Sequence, residues 1–345
     1  MAFLEHTIAL SDPSVRWKYA NSFADVRFGQ VLEDLDIITG RVAWQYAQGP
    51  VVTAALEQLD FLHPINMEKD LLCRAALNAV GKSSLEVGVR LENDGNHIAS
   101  AYFTFVAIDE NGKARAVQPY VPQTAEEIQR ENSARQRKEQ YQQSKKKNEQ
   151  PFSSLESELL TMSKKKNGAT MHRGANLQSM YPQQTNPHHT IFGGYLMHMG
   201  LELAADTVYE YSGQRAVLAS INRINFLRPV QIGALMKMHR TICYVGNTSV
   251  QVEIMFEELH GENGDLPELW DMRVSSERTS LTSPSNGSLT YQPITNSCYF
   301  AFVGVNEQFK PTPMPKVVPA TPEEEKKFVE GYRRYKYHKE RLGKH

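Results

Sequence analysis

The sequence predicts an α+β fold that is built twice within one chain, with one long helix lying on an antiparallel sheet in each copy. Two observations support this prediction. The chain repeats itself internally, and in each copy a long stretch of helical periodicity precedes segments that alternate or are mainly apolar, as strands do. With 345 residues, 41% of them hydrophobic, the chain is also long enough to form two cores.

Five short motifs of the first half recur in the second half. Phe28-Gly29 recurs as Phe192-Gly193, which shifts the numbering by 164. Two motifs are shifted by 165, which are 60–64 with 225–229 and 80–84 with 245–249. Two further motifs are shifted by 197, which are 102–106 with 299–303 and 122–127 with 319–324. Since the shift grows by 32 between these groups, the second copy carries an insertion of that length. The stretch 260–293, rich in Gly, Asn, Ser and Pro, predicts a surface loop there.

Helices and strands are expected in the same order in both copies. Helical periodicity extends over 31–48 and 195–211, and strand patterns follow it at 71–80, 85–91, 235–244 and 251–256. In the two Pro-x-Thr-x-Glu-Glu motifs, Thr124 and Thr321 are predicted to cap helix N-termini. The last helix, from Glu323 to about Leu342, alternates acidic and basic residues, which is typical of a peripheral helix.

These elements divide the chain into two predicted domains, 1–133 and 181–322. A polar, Lys-rich linker is expected between them at 134–180, because its composition cannot support a hydrophobic core. Ser-Lys-Lys-Lys-Asn occurs in it twice, at 144–148 and 163–167. The peripheral helix occupies the remainder, 323–345.

Composition argues against several classes of function. Because 38 Lys and Arg nearly balance 39 Asp and Glu, no global field draws the protein to nucleic acid or to an anionic membrane. The longest apolar run, 98–108, has about half of the roughly 20 residues that a transmembrane helix needs, so no transmembrane segment is expected. The three cysteines lie far apart without a CxxC pair, which argues against disulfides and favours a reducing compartment.

The segment 185–197 carries the strongest signal for chemistry. Gly193 and Gly194 stand directly before a helical stretch, where free N–H groups and the positive end of the helix dipole suit a developing oxyanion. Asn186, His188 and His189 supply polar groups just upstream, which a packing motif would not require. Glycines that only permit tight packing are the alternative interpretation.

Two motifs together resemble a known family. Asn-x-x-x-x-Ile-Phe-Gly-Gly-x-Leu-Met at 186–197 and Asn-Phe-Leu-Arg-Pro-Val at 225–230 resemble the hot-dog acyl-CoA thioesterases, and 26–36 resembles the acyl-CoA thioesterase 9 type found in mitochondria. The resemblance covers both copies. It implies a tandem hot-dog fold, hydrolysis of fatty acyl-CoA to fatty acid and coenzyme A without a further cofactor, and a homo-oligomer. It also implies a mitochondrial location, although no presequence is visible and the cytoplasm is the alternative.

The resemblance implies roles for individual residues. Asn186, Gly193 and Gly194 are placed at the substrate carbonyl, in a cleft between the two halves. Asp36 of the other half is the carboxylate that activates water or attacks the thioester itself. His188, His189 and Phe192 are candidates for substrate contact, with ordinary turn histidines as the alternative.

The position of the acid leaves two candidates. In related enzymes it lies seven residues after the second glycine, where this sequence has Leu201 and, counted from Gln30, Ile37. The nearest acids, Asp36 and Glu202, are each about 100° around the helix from that position. Asp36 is preferred because its half has Gln30 in place of the second glycine, so that half is expected to supply the acid.

Arg223 and Arg228 are candidates for binding the phosphates of coenzyme A, because an arginine fork suits phosphate geometry. Surface ion pairs are the alternative. The histidines do not complete a recognised zinc spacing, so no metal site is expected. The chain has no Gly-x-Ser-x-Gly motif, which argues against an α/β-hydrolase. An acyl-thioester hydratase or dehydratase of the hot-dog fold and a non-catalytic acyl-CoA-binding module remain the rival functions.

Overall fold

The computed structural model describes residues 3–23, 25–165, 168–260 and 290–341. The first half contains one long helix and a set of antiparallel strands. In chain order its elements are β1 (Phe3–Ile8), α1 (Pro13–Arg16), α2 (Phe28–Ala47), β2 (Val51–Phe61), β3 (Leu71–Val80), β4 (Ser84–Asn93) and β5 (Asn96–Ala107).

The second half repeats this order after a connecting region. The connection contains α3 (Ala125–Asn148), α4 (Ser154–Lys164), β6 (Ala169–Thr170) and β7 (Arg173–Ser179). The repeated unit and the C-terminal elements are α5 (Gly193–Ser212), β8 (Ala216–Phe226), β9 (Leu235–Val245), β10 (Ser249–His260), β11 (Thr290–Gly304), β12 (Val317–Val318) and α6 (Pro322–Arg341). The extra residues of the predicted surface loop lie largely outside the described residues.

Ten strands form one sheet that runs through both halves, in the order β1-β3-β4-β5-β2-β8-β11-β10-β9-β7. The halves meet where β2 pairs antiparallel with β8, with Ala55 opposite Asn225 and Asp60 opposite Ser220. The helices α2 and α5 pack against each other, and each packs on the strands of its own half. The predicted α+β fold, one helix on an antiparallel sheet in each copy, is therefore confirmed.

The two faces of the sheet carry different helices. Phe105 of β5 is buried, and a Cβ atom built on Gly40 of α2 would be 3.5 Å from its ring. On the opposite side of the same strand, the guanidinium of Arg137 in α3 lies 3.6 Å from the centre of the Tyr102 ring. Because residues of opposite parity in a strand face opposite sides, α2 and α5 share the inner face and α3 covers the outer face.

The structure corrects the register between the two long helices. Both helices have 20 residues, and their first residues, Phe28 and Gly193, are 165 apart in the numbering. The strands β2 and β8 have 11 residues each, and their first residues, Val51 and Ala216, are also 165 apart. The pairing of Phe28-Gly29 with Phe192-Gly193 is therefore wrong by one position.

In the corrected register Gly29 matches Gly194, and Gln30 does not replace the second glycine. Asp36 then stands seven residues after its own glycine, Gly29. This is the position at which the resemblance to related enzymes expects the acid.

The connection between the halves contains regular structure. Helix α3 begins with a capping box in which Thr124 Oγ1 accepts from the N–H of Glu127, as the motif predicted, and it continues to Asn148. β7 is an edge strand that pairs with β9. Helix α6 packs on β9 and β10 with Phe328 and Val329 buried. The domain boundaries remain predictions, but 134–180 includes two helical segments and an edge strand.

Candidate active site

Asp36 lies on α2, and its carboxyl group is buried where α2 meets α5. The residue is 3% exposed, and its Oδ1 accepts a hydrogen bond from Oγ1 of Thr53 on β2 at 2.9 Å. Its Oδ2 has no partner within hydrogen-bond geometry in the described part of the chain. One carboxyl oxygen is therefore held in place, and the other is buried without a hydrogen-bond partner.

Gly193 and Gly194 begin α5 directly opposite this carboxyl group. A Cβ atom built on Gly193 would be 3.1 Å from Oδ2 of Asp36, and one built on Gly194 would be 2.9 Å from the Cα of Glu33 on α2. The first N–H groups of α5 have no partner within the helix, and they carry the positive end of its dipole. The glycines thus allow α5 to pack closely against α2 and against the carboxyl group of Asp36, as the packing interpretation of the motif expects.

Burial raises the pKa of Asp36 to about 7, because removal from water disfavours the charged carboxylate. The hydrogen bond from Thr53 and the nearby N–H of Gly194 act in the opposite direction, since both stabilise the carboxylate. A pKa near neutrality suits a group that takes up and releases a proton at neutral pH.

Asn186 organises the turn that precedes α5. Its Oδ1 accepts from the N–H groups of His188 at 2.8 Å and Thr190 at 3.3 Å, and its Nδ2 donates to Oγ1 of Thr190 at 2.8 Å. The turn ends at Phe192, whose N–H donates to the carbonyl of Gln184 at 2.8 Å. Because an amide nitrogen carries two hydrogens, Asn186 retains one donor beyond this turn.

The other candidates of this segment lie around the same turn. His188 stacks on Trp44 of α2, with ring centres 6.0 Å apart and an interplanar angle of 17°, and so connects the turn to the opposite half. His189 is exposed and has a left-handed backbone with φ of 58°. The ring of Phe192 would contact a Cβ atom on Gly194 at 2.5 Å. His188 and Phe192 therefore border the helix start, whereas His189 lies at the exposed side of the turn.

Comparison with known proteins shows the family. A family model described as "thioesterase superfamily" matches residues 26–100 and 188–264, which include α2 and α5. The uncharacterized acyl-CoA thioester hydrolase YkhA of Bacillus subtilis is 34% identical over 115 residues, which are 32% of this chain and 67% of that protein. The chain belongs to the thioesterase superfamily.

Other thioesterases match over nearly the whole chain. Acyl-coenzyme A thioesterase 4, mitochondrial, of Humulus lupulus is 28% identical over 355 residues, covering 93% of this chain and 63% of that protein. Acyl-coenzyme A thioesterase 9, mitochondrial, of mouse is 26% identical over 371 residues, covering 94% and 75%. Among solved structures, a putative oleoyl thioesterase of Lactobacillus plantarum shares the fold with a TM-score of 0.53 and 7% identity, over 88% of this chain and 96% of that one. The resemblance to thioesterases of the type 9 group is confirmed.

The structure does not bring the two predicted arginines to the Asp36 site. Arg223 lies on the outer face, where it pairs with Glu57 and stacks 3.4 Å from the centre of the Tyr141 ring of α3. Burial lowers its pKa to about 10, and it lines a pocket of about 580 Å³ between α3, α4, α6 and the sheet. Arg228 is exposed in the loop after β8. Their proposed contact with coenzyme A phosphates gains no support from this geometry.

Glu202 has a different environment from Asp36. It forms an ion pair with Arg27, and its Oε1 lies 2.8 Å from Nε2 of His198, whose Nδ1 lies 2.5 Å from Oε1 of Glu33. Burial opposes ionisation of Glu202, but the hydrogen bonds with His198 and Arg27 prevail and lower its pKa to about 2. Burial likewise disfavours the charged form of His198, but Glu202 and Glu33 together raise its pKa to about 9. A carboxylate of such low pKa is a weak base.

Four residues of these surroundings were not predicted from the sequence, which are Thr53, Glu33, His198 and Arg27.

Within the described ranges, no group of three or more His, Cys, Asp and Glu side chains is arranged to hold a metal ion. No helix among those residues has both the length and the apolar character needed to cross a bilayer.

Proposed function

We propose that this chain hydrolyses fatty acyl-CoA thioesters to a free fatty acid and coenzyme A, without a cofactor. The observation that carries the proposal is the free Oδ2 of Asp36, buried opposite the glycine-bearing start of α5 from the other half. Its pKa near 7 supplies a carboxylate at neutral pH, and the names of the relatives indicate the same substrate class.

The thioester carbonyl would bind beside the carboxyl group of Asp36 and the start of α5. As water adds to the carbonyl carbon, Asp36 takes the proton, and the developing oxyanion is stabilised by N–H groups of the first turn of α5. The remaining donor of Asn186 is available for the same oxygen. Collapse of the tetrahedral intermediate then expels the thiolate of coenzyme A, which takes up a proton. If Asp36 instead attacks the carbonyl directly, a mixed anhydride forms and water hydrolyses it.

The functional test is thiol release from palmitoyl-CoA. A hydrolase liberates coenzyme A, a hydratase changes only the acyl chain, and a binding module does neither. Asp36→Asn should lower kcat by at least about a hundredfold, because the base or nucleophile is lost. Asp34→Asn is the matched control, since Asp34 is two residues away and accepts from Tyr19 instead, at 2.8 Å.

Two results would contradict the proposal in different ways. Absence of thiol release by the wild-type chain would exclude the hydrolase. If Asp36→Asn kept wild-type turnover and Glu202→Gln instead lost about a hundredfold in kcat, the acid would be assigned to Glu202.

The cellular context is part of the same proposal. A mitochondrial location is proposed because relatives of this thioesterase carry that word in their names, and cytoplasmic residence is the alternative. Assembly of several double hot-dog subunits is proposed because the sheet ends in the edge strands β1 and β7, which offer backbone groups for further pairing. Fractionation of cells and light scattering of the purified protein test these two statements.

A further inference from the structure

The two long helices cross at two glycines that correspond to each other in the repeat, Gly29 on α2 and Gly194 on α5. One turn further along each helix, Glu33 and His198 are also equivalent, since the same shift of 165 in the numbering relates them. Each of these residues lies over the glycine of the other helix. A Cβ atom on Gly194 would be 2.9 Å from the Cα of Glu33, and one on Gly29 would overlap Cδ2 of His198.

Glu33 and His198 contact each other directly across this crossing. Oε1 of Glu33 lies 2.5 Å from Nδ1 of His198, and the other ring nitrogen lies 2.8 Å from Glu202, which pairs with Arg27 at the start of α2. His198 is 7% exposed, so water screens the contact poorly. The cluster therefore connects α2 to α5 at two places, Arg27 and Glu33.

Asp36 stands three residues after Glu33, less than one turn along the same helix. Because both residues lie on one helix, a shift of Glu33 relative to Gly194 would also change the distance between the carboxyl group of Asp36 and the N–H of Gly194. That N–H is one of the two groups that favour the ionised form of Asp36. We infer that Glu33 and His198 form a positioning pair, whose contact holds Asp36 against the start of α5. This inference rests on the proposed function only for its kinetic consequence.

Titration of Asp36 distinguishes positioning from a purely structural role. Replacing Glu33 by Ala removes a negative charge near Asp36, and electrostatics alone would lower the pKa of Asp36. Displacement of Asp36 from the Gly194 N–H would raise this pKa, because a group that stabilises the carboxylate is lost. The two causes act in opposite directions, so the sign of the change decides between them.

The experiment follows the carboxyl ¹³C signal of Asp36 through a pH titration in the wild-type chain, Glu33→Ala and Glu33→Gln. The signal is assigned by its absence in Asp36→Asn. We expect the midpoint to rise by about one pH unit in Glu33→Ala, while Glu33→Gln, which can still hydrogen-bond His198, stays close to the wild type. This readout does not require turnover, so it remains informative if the chain is not a hydrolase.

The control is a buried ion pair outside the site. Glu156 pairs with Arg333 at 2.8 Å, with side chains 6% and 9% exposed, and Glu156→Ala should lower the melting temperature without moving the Asp36 midpoint. In thiol release, Glu33→Ala should lower kcat about tenfold, and Glu33→Gln should restore most of it. An unchanged or lowered midpoint in folded Glu33→Ala would overturn the inference and leave the cluster a structural one.

Discussion

The two ends of the α2–α5 pair share a backbone arrangement but differ in their side chains. At one end, Asp36 and Thr53 face the glycine start of α5. The residues that correspond to them at the other end, in the corrected register, are Leu201 and Leu218. The acid and its hydrogen-bond donor are thus both present at one end and both absent at the other, which is expected if they act together.

The turn before each helix shows the opposite pattern. Asn21, which corresponds to Asn186, accepts from the N–H groups of Phe23 at 2.9 Å and Asp25 at 3.0 Å, as Asn186 accepts from two equivalent N–H groups. Because this arrangement occurs at both ends, it is explained by the geometry of the turn alone. A polar residue in a suggestive motif is therefore weaker evidence for chemistry than one that differs between the repeats.

The largest effect is expected when Gly193 is replaced by Phe, the residue that stands at the equivalent position 28 at the other end. Gly193→Phe should lower kcat/KM at least about a hundredfold, because even a Cβ atom there would be 3.1 Å from Oδ2 of Asp36. Thiol release measures the loss, and circular dichroism establishes that the variant is folded. Phe28→Leu, at the other end, should retain activity. Substantial activity in Gly193→Phe would mean that the thioester does not bind in front of Asp36.

A smaller effect is expected from copying Leu218 onto its counterpart. Thr53→Leu removes the donor to Oδ1 of Asp36 and should lower kcat about tenfold, whereas Thr53→Ser keeps the hydroxyl and should remain close to the wild type. Leu218→Thr is the mirrored control and should leave turnover unchanged. Equal losses in Thr53→Leu and Leu218→Thr would refute the division of roles between the ends.

The pH dependence sharpens the assignment of the acid. Because the active form is the carboxylate and burial raises the pKa of Asp36 to about 7, kcat/KM should rise with pH and level off above a midpoint near 7. In Thr53→Leu this midpoint should move upward, since a group that stabilises the carboxylate is removed. A midpoint near 4, the ordinary range of an exposed aspartate, is the result that would argue against Asp36.

The smallest expected effect is on stability. The pKa of Asp36 is about 7 in the folded chain and 3.8 ordinarily, so between these values the folded state binds more protons than the unfolded state. Its contribution to the free energy of unfolding therefore falls as the pH rises through this window. Asp36→Asn should raise the melting temperature by a few degrees at pH 8 and by much less at pH 4. Equal shifts at both pH values would contradict the linkage.

Local patterns were sufficient to predict most of the fold. The two long helices and four of the strands followed from periodicity, and the cap at Thr124 followed from its motif. The strand β7 was not predicted, because its polar sequence at the sheet edge has no alternation. The segment after Ala134 was predicted to be a linker because its polar composition indicates no hydrophobic core. Helix α3 is instead held by polar contacts such as that of Arg137 with Glu86.

The site was predicted less completely than the fold. Asp36 and the glycine pair were named, and the structure brings them together. Thr53 was missed because nothing in one strand pattern indicates which helix residue it faces. Matching Phe-Gly to Phe-Gly hid the register, although the match of 60–64 with 225–229 already carried the correct one. With that register, the exchange of Asp36 for Leu201 and of Thr53 for Leu218 is visible in the sequence.

The antiparallel pairing of β2 with β8 joins the two halves of one polypeptide into a single sheet. In a symmetric homodimer, one gene specifies both protomers, so every substitution appears twice and neither catalytic centre can change alone. Once two units are encoded in tandem, codons 36 and 201 mutate separately. The unit that keeps its acid can then be maintained by selection for turnover, while its neighbour accumulates apolar or ion-paired residues that favour rigidity.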